Sequence, residues 1–167
     1  MSENTALTPE FLNFLQEHRS DIESLYKDAF KKLKDEAKSK ADEIENLINL
    51  ENTGFRSFNY NPGNQLKFVR VFEKEIEWEG KKFNIKIKLR FRPAKCTVEI
   101  WVEKSSETKI FQDYISQIFD KDFDDWKNHQ DNELGSIEYS EFKLAPDAEN
   151  VSKEIEHLIL KINLTSD

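Results

Sequence analysis

The sequence predicts an α+β fold: N-terminal helices, a three- or four-stranded antiparallel meander, a helix, a further strand and a C-terminal helix. Three stretches, each with its own regular spacing of apolar residues, predict this order. Apolar residues recur every three or four positions from Ile22 to Leu50, every second position from Leu66 to Lys104, and every three or four positions from Val151 to Ile162. A sheet is therefore expected between two helical ends.

Length and composition favour one folded domain over residues 1–167, in which residues 1–53 pack on the sheet or extend from it. The chain is 35% charged, but 13 Phe, 4 Tyr and 3 Trp argue against disorder. Its 25 basic and 33 acidic residues give a net charge of −8. No leader peptide or membrane span is expected, so we expect a cytoplasmic protein that does not bind membranes.

Two helices are predicted at the N-terminus. The first starts at Thr8-Pro9, where Thr caps free N–H groups and Pro loses no hydrogen bond, and ends near His18. Ser20 and Glu23 have the spacing of a capping box, which predicts the start of a second helix running to about Leu50.

The apolar stripe of the second helix is uneven. Its ends carry large residues such as Tyr26 and Phe30, whereas its middle offers only Ala37 and Ala41, and Gly54 suits the residue that closes a helix. Three arrangements are open: the helix lies across its own sheet, pairs with a second copy, or forms an arm that binds a partner.

The central segment is predicted to form strands that keep charges on one face. Residues 83–92 alternate apolar and polar, and a turn at Gly80-Lys81 would place Glu75 opposite Lys86. A turn at Pro93-Ala94 would place Lys88 opposite Glu99. Residues 55–60 are a candidate edge strand, and a bulge is expected near Arg70, where the alternation breaks.

These registers predict an acid, base, acid order across three strands, which neutralises the basic residues of the middle strand. Nucleic-acid binding is therefore disfavoured, and is best supported at Arg70, Arg90 and Arg92. Trp101 is the aromatic exception on this face. It is expected to lie under the long helix, to pair with Lys86 as a cation–π contact, or to meet a partner.

The C-terminal third predicts a helix capped by Ser105 or Ser106, a strand over residues 137–144 and a helix that opens at Pro146. Between them, Asp120, Asp122 and Asp124 are spaced like the start of a calcium loop. Asp125, however, stands where that loop needs Gly. We therefore interpret this segment as an acidic turn without a metal.

No sequence motif specifies an enzyme. The three histidines are scattered, and Cys96 lies on the inward face of a strand, opposite Phe91, as an inert thiol. Glu141-Phe142-Lys143 is similar to the Glu-x-Lys element of restriction-type nucleases, but so common a triplet is weak evidence. We expect neither a cofactor nor a catalytic residue.

The sequence favours a non-enzymatic acidic protein-binding module, of the inhibitor, immunity protein, antitoxin or chaperone type. Its partner would be another protein with a basic surface. The candidate partner-binding residues are Asp120, Asp122, Asp124, Asp125, Glu73, Glu75 and Trp101. The alternatives are a nucleic-acid-binding or nuclease-like domain, and a scaffold that self-associates through the long N-terminal helix as a homodimer.

Overall fold

The computed structural model describes residues 8–60, 67–103, 108–119, 127–129, 134–143 and 146–165. The α+β class is confirmed. The helices are α1 Pro9–Glu17, α2 Arg19–Asn46, α3 Thr108–Phe119 and α4 Ala148–Thr165. The strands are β1 Arg56–Tyr60, β2 Phe68–Trp78, β3 Lys81–Phe91, β4 Lys95–Glu103, β5 Lys127–His129 and β6 Leu134–Lys143.

The strands form one antiparallel sheet in the order β1-β2-β3-β4-β6-β5. The meander and the edge strand β1 are confirmed, and β6 is the predicted further strand. The sequence did not predict β5, because three polar residues, Lys127 to His129, show no alternation that could be recognised.

The hydrophobic core lies between one face of this sheet and helices α2, α3 and α4. We call this the inner face, and the opposite one the outer face. The core contains side chains from all three helices and the central strands, among them Ala41, Ile44, Phe72, Ile85, Ile87, Leu89, Val98, Ile100, Tyr114, Val151, Ile155 and Leu158. No helix among the described residues is long and apolar enough to span a bilayer.

Helix α2 has two halves with different surroundings. Its C-terminal half buries Ala37, Ala41 and Ile44 against the core, and small alanines allow a helix to approach its neighbours closely. None of residues 9–36 is buried. Only the second half of the helix therefore lies on the sheet.

The predicted capping box at Ser20 does not form, because α2 starts one residue earlier, at Arg19. His18 alone separates α1 from α2, and it makes a backbone hydrogen bond to each helix. The His18 N–H donates to the carbonyl of Phe14 at 3.0 Å, and the Ile22 N–H donates to the carbonyl of His18 at 2.9 Å. No side chain caps the first turn of α2, and the Glu23 carboxylate instead accepts from Arg19 Nε at 2.8 Å.

Helix α2 ends at Asn46, before the predicted Leu50. The Asn49 side chain accepts the N–H of Glu51 at 3.0 Å, a local hydrogen bond that competes with helix continuation. Gly54 has a φ of 76°, but it lies in the turn that leads into β1 and does not close the helix.

The first hairpin differs from the predicted register by two residues. Its turn is Glu79-Gly80, with φ of 50° and 75°, so that Glu73 and not Glu75 lies opposite Lys86. Two positive φ angles are typical of a type I′ turn, whose twist suits a hairpin. A shift of two residues keeps every side chain on its face.

The second hairpin matches the prediction, since Lys88 lies opposite Glu99 and Phe91 opposite Cys96.

The expected bulge near Arg70 is wrong, because β2 pairs without interruption with both neighbours. The alternation breaks for another reason. Val69 and Val71 are buried on the outer face, whereas Arg70 points to the inner side, where its guanidinium contacts Asp42 and Glu45 of α2. Two carboxylates from a helix thus allow a charged residue at an inward position.

Candidate functional site

The outer face carries a cluster of charged and aromatic side chains that are more buried than surface residues usually are. Val69 and Val71 form its apolar base, because they lie opposite Arg90 and Lys88 in the pairing of β2 with β3. Glu73, Lys88 and Glu99 are buried around them.

Glu73, a predicted partner-binding residue, is neutralised within the sheet. Its carboxylate lies 2.7 Å from Arg56 Nη2 and 3.4 Å from Lys86 Nζ, and its side chain is 8% exposed. Glu75 stays at the surface, with its side chain 66% exposed and 3.9 Å from Lys82 Nζ. Of these two glutamates, only Glu75 presents its charge to solvent.

Glu99 is the other carboxylate of the cluster, and four groups donate to it or pair with it. Thr97 Oγ1 lies at 3.0 Å and Trp101 Nε1 at 2.8 Å from its oxygens. Arg90 Nη2 lies at 2.9 Å and Arg92 Nη2 at 3.4 Å. Glu99 therefore neutralises Arg90 and Arg92 and also orients Trp101.

Trp101 is buried on the outer face, and its expected cover by the long helix is wrong, since α2 packs on the inner face. The cation over its ring is Lys88, with Nζ 3.6 Å from the ring centroid, and not Lys86 as the sequence suggested. Arg90 Cζ lies 5.5 Å from the same centroid. The ring holds the Lys88 ammonium by cation–π attraction.

Lys88 is the residue that sequence reasoning missed. It is 9% exposed, and its Nζ lies 5.7 Å from the ring centroid of Tyr60 as well as against Trp101. Burial, followed by repulsion from Arg90 and Lys86, lowers the pKa of Lys88 to about 8. Val69 and Val71 of β2 could have indicated this burial from the sequence, because two valines on the outer face predict an apolar base beneath this lysine.

Asp120, Asp122, Asp124 and Asp125 lie outside the described residues, as do Ser105 and Ser106. Of the predicted contact set, the structure therefore places Glu73, Glu75 and Trp101. It brings Glu73 and Trp101 into the buried cluster and leaves Glu75 at the hairpin end of the same face.

The second candidate surface is the arm, which we define as residues 9–36. Its large apolar side chains are exposed or half-buried, in contrast to those of the domain core. Leu25 is 69% exposed, and the other exposed large apolar residues of the arm are Phe11, Leu12, Phe14, Ile22 and Tyr26. At about 1.5 Å per residue the arm is about 42 Å long.

Charges flank the apolar stripe of the arm on opposite sides. Asp21, Asp28 and Asp35 recur every seven residues and lie along one flank. Lys27 and Lys34 recur in the same way along the other, where Lys34 Nζ lies 4.3 Å from the ring centroid of Phe30. Lys32 also lies on the side of the aspartates and Glu23 on the side of the lysines, so each flank has a predominant charge, after which we call them the acidic flank and the basic flank.

Other potential sites offer less chemistry. Cys96 is fully buried, and burial raises the pKa of its thiol to about 12. Within the described ranges, no three His, Cys, Asp or Glu side chains meet in a group that could hold a metal ion. Glu141 of the nuclease-like triplet pairs with Lys95 at 2.6 Å on the surface.

An open groove of about 570 Å³ lies between β6 and α4, and its walls are Phe142, Asn150, Lys153, Glu154 and His157.

No known protein family, curated protein or solved structure matches this chain. Its function is therefore to be inferred from the chemistry of the outer face and the arm.

Proposed function

We propose that the protein is a non-enzymatic protein-binding module that docks through its arm, and that a second copy of the chain occupies the arm. The supporting observation is the exposed apolar stripe from Phe11 to Tyr26, carried on a fold that already has a separate core. A contiguous exposed apolar surface of this kind is typical of an interaction site.

The charges of the arm favour a second copy in parallel orientation. When two identical helices lie parallel with their apolar stripes together, the acidic flank of each faces the basic flank of the other. Asp21, Asp28 and Asp35 would then face the lysine flank of the partner copy, whereas an antiparallel pair would bring like flanks together. The sequence predicts a partner with a basic surface. In this proposal, that basic surface is the lysine flank of the second copy.

The mass of the full-length protein in solution tests this proposal. We expect analytical ultracentrifugation to give a dimer, twice the 19.8 kDa of one chain, and the Leu25→Glu variant to be monomeric. A charge placed in an apolar contact is left without a partner when the copies associate.

Leu164→Glu is the matched control, because Leu164 is 77% exposed on α4, away from the arm. It should leave the dimer intact, with circular dichroism verifying that both variants fold. A wild-type protein that remains a monomer at micromolar concentration contradicts the proposal.

Disulfide crosslinking tests the parallel orientation. Identical positions of two parallel arms lie side by side, so Leu15→Cys and Ala29→Cys should each form a crosslinked dimer. In an antiparallel pair identical positions meet only near the axis, so at most one of these variants would crosslink. Native Cys96 does not interfere, since it is buried.

A further inference from the structure

The two carboxylates of the outer-face cluster do not neutralise all of its cations. Glu73 pairs with Arg56 and Lys86, and Glu99 pairs with Arg90 and Arg92. In the part of the chain that the structure describes, neither Lys67 nor Lys88 has a carboxylate oxygen within 4 Å. Two ammonium groups thus remain beside two guanidinium groups.

Lys88 is unusual because it is more than nine-tenths buried although none of the described carboxylates has an oxygen within 4 Å of its ammonium. Buried lysines are rare unless they are paired. Its contacts are the rings of Trp101 and Tyr60, and the nearby charges are mainly positive: Arg90, Lys86 and Lys67 repel its ammonium, and only Glu99 attracts it. An anion bound here would replace this repulsion by charge-assisted hydrogen bonds.

Aromatic rings lie next to these cations on the edge strand β1. Tyr60 and Phe58 are opposite Val69 and Val71 in the pairing, so they share the outer face, and both rings are exposed. A positive surface with exposed aromatic rings on a sheet is the combination by which proteins bind phosphates and stack bases.

We propose that the outer face binds a nucleoside phosphate, with the phosphate between Lys67 and Lys88 and beside Arg90, and the base stacked on Tyr60. Several cations that surround one point match a phosphate group, which spreads its negative charge over its oxygens, better than they match a single carboxylate. The net charge of −8 does not prevent this, because charges farther than about 8 Å are screened at physiological salt. This site is independent of the arm and of the proposed dimer.

Equilibrium binding to the full-length protein tests the proposal. The probes are adenosine monophosphate, adenosine without phosphate, and a fluorescent ten-nucleotide single strand of DNA, each titrated at low salt. We expect saturable binding of a phosphate-bearing probe, no binding of adenosine, and a loss of about tenfold in affinity for Lys88→Met, as for one charge-assisted contact.

Lys82→Met is the matched control, since Lys82 belongs to the same strand but is 66% exposed at the hairpin end. The affinity of Lys82→Met for a phosphate-bearing probe should stay within about twofold of wild type. A loss of this size is expected from removing one positive charge from the surface. Inorganic phosphate serves as a further probe for Tyr60→Leu, which should weaken the binding of adenosine monophosphate more than the binding of phosphate. Circular dichroism verifies that each variant folds.

The two phosphate probes distinguish the source of the ligand. Binding of adenosine monophosphate indicates a free nucleotide, and binding of the single strand alone indicates a polynucleotide; either supports the site if Lys88→Met weakens it about tenfold. The proposal is overturned if neither probe binds, or if Lys88→Met and Lys82→Met bind equally well. Leu25→Glu should bind the nucleotide like wild type, so that failure of the dimer proposal would not affect this result.

Discussion

At the scale of single residues, the surroundings of a charge decide its role more than its type does. Arg70 of β2 and Lys88 of β3 are both buried. Arg70 contacts two carboxylates of α2, whereas Lys88 contacts two aromatic rings. The first is a structural ion pair that joins a helix to the sheet. The second is a cation with capacity for a ligand.

Lys88 predicts a measurable dependence of stability on pH. Its pKa is about 8 in the folded protein against 10.5 for an ordinary lysine, because of burial, Arg90 and Lys86. Between these pH values the unfolded chain binds more protons, so the free energy of unfolding should rise with pH. In urea unfolding, the free energy of unfolding of wild type should therefore rise from pH 8 to pH 10 relative to that of Lys88→Met.

The same measurement on Lys82→Met controls for the removal of a positive charge at an exposed position of the same strand. A difference between wild type and Lys88→Met that is constant over this range would show that Lys88 keeps an ordinary pKa.

At the scale of elements, the hairpin between β2 and β3 shows how a turn selects a register. Glu79 adopts a φ of 50° and Gly80 a φ of 75°, although a side chain such as that of Glu disfavours positive φ. The turn geometry costs some stability at Glu79. It nevertheless keeps Glu73 and Glu75 of β2 on the outer face with Lys86 and Lys88 of β3.

Glu79→Asn should therefore stabilise the protein, since Asn tolerates positive φ and is preferred in type I′ turns. We expect about 0.5 kcal/mol in the free energy of unfolding, measured by urea denaturation. Glu77→Asn serves as the control, because Glu77 lies in β2 itself and Asn is poor in strands. Equal effects of the two substitutions would contradict this account of the turn.

At the scale of the whole molecule, polar contacts join the helices to the sheet at a few described residues. Arg70 links β2 to Asp42 and Glu45 of α2, and Lys74 Nζ links β2 to Asn163 Oδ1 of α4 at 2.7 Å. Apolar packing supplies most of the contact between the layers, since the core cluster draws on α2, α3 and α4. The Arg70 link fixes where α2 crosses the sheet, and with it the direction of the arm.

Arg70→Met should lower the free energy of unfolding by about 2 kcal/mol, because it leaves two carboxylates without their cation. Thermal and urea denaturation measure this loss. Lys153→Met removes an exposed pair with Glu149 on α4 and should cost less than about 0.5 kcal/mol. Similar losses in both variants would show that the link from β2 to α2 adds nothing beyond a surface ion pair.

The sequence by itself determined the α+β class, the meander, the register of its second hairpin and the inward position of Cys96. The spacing of apolar residues along an element indicates which of its sides is apolar, and for β3 and for Cys96 this prediction is confirmed. Tertiary structure decided what lies against each face: α2 on the inner side, Trp101 under Lys88, and Arg70 between helix carboxylates. Such contacts join residues far apart in the chain, so local periodicity does not contain them.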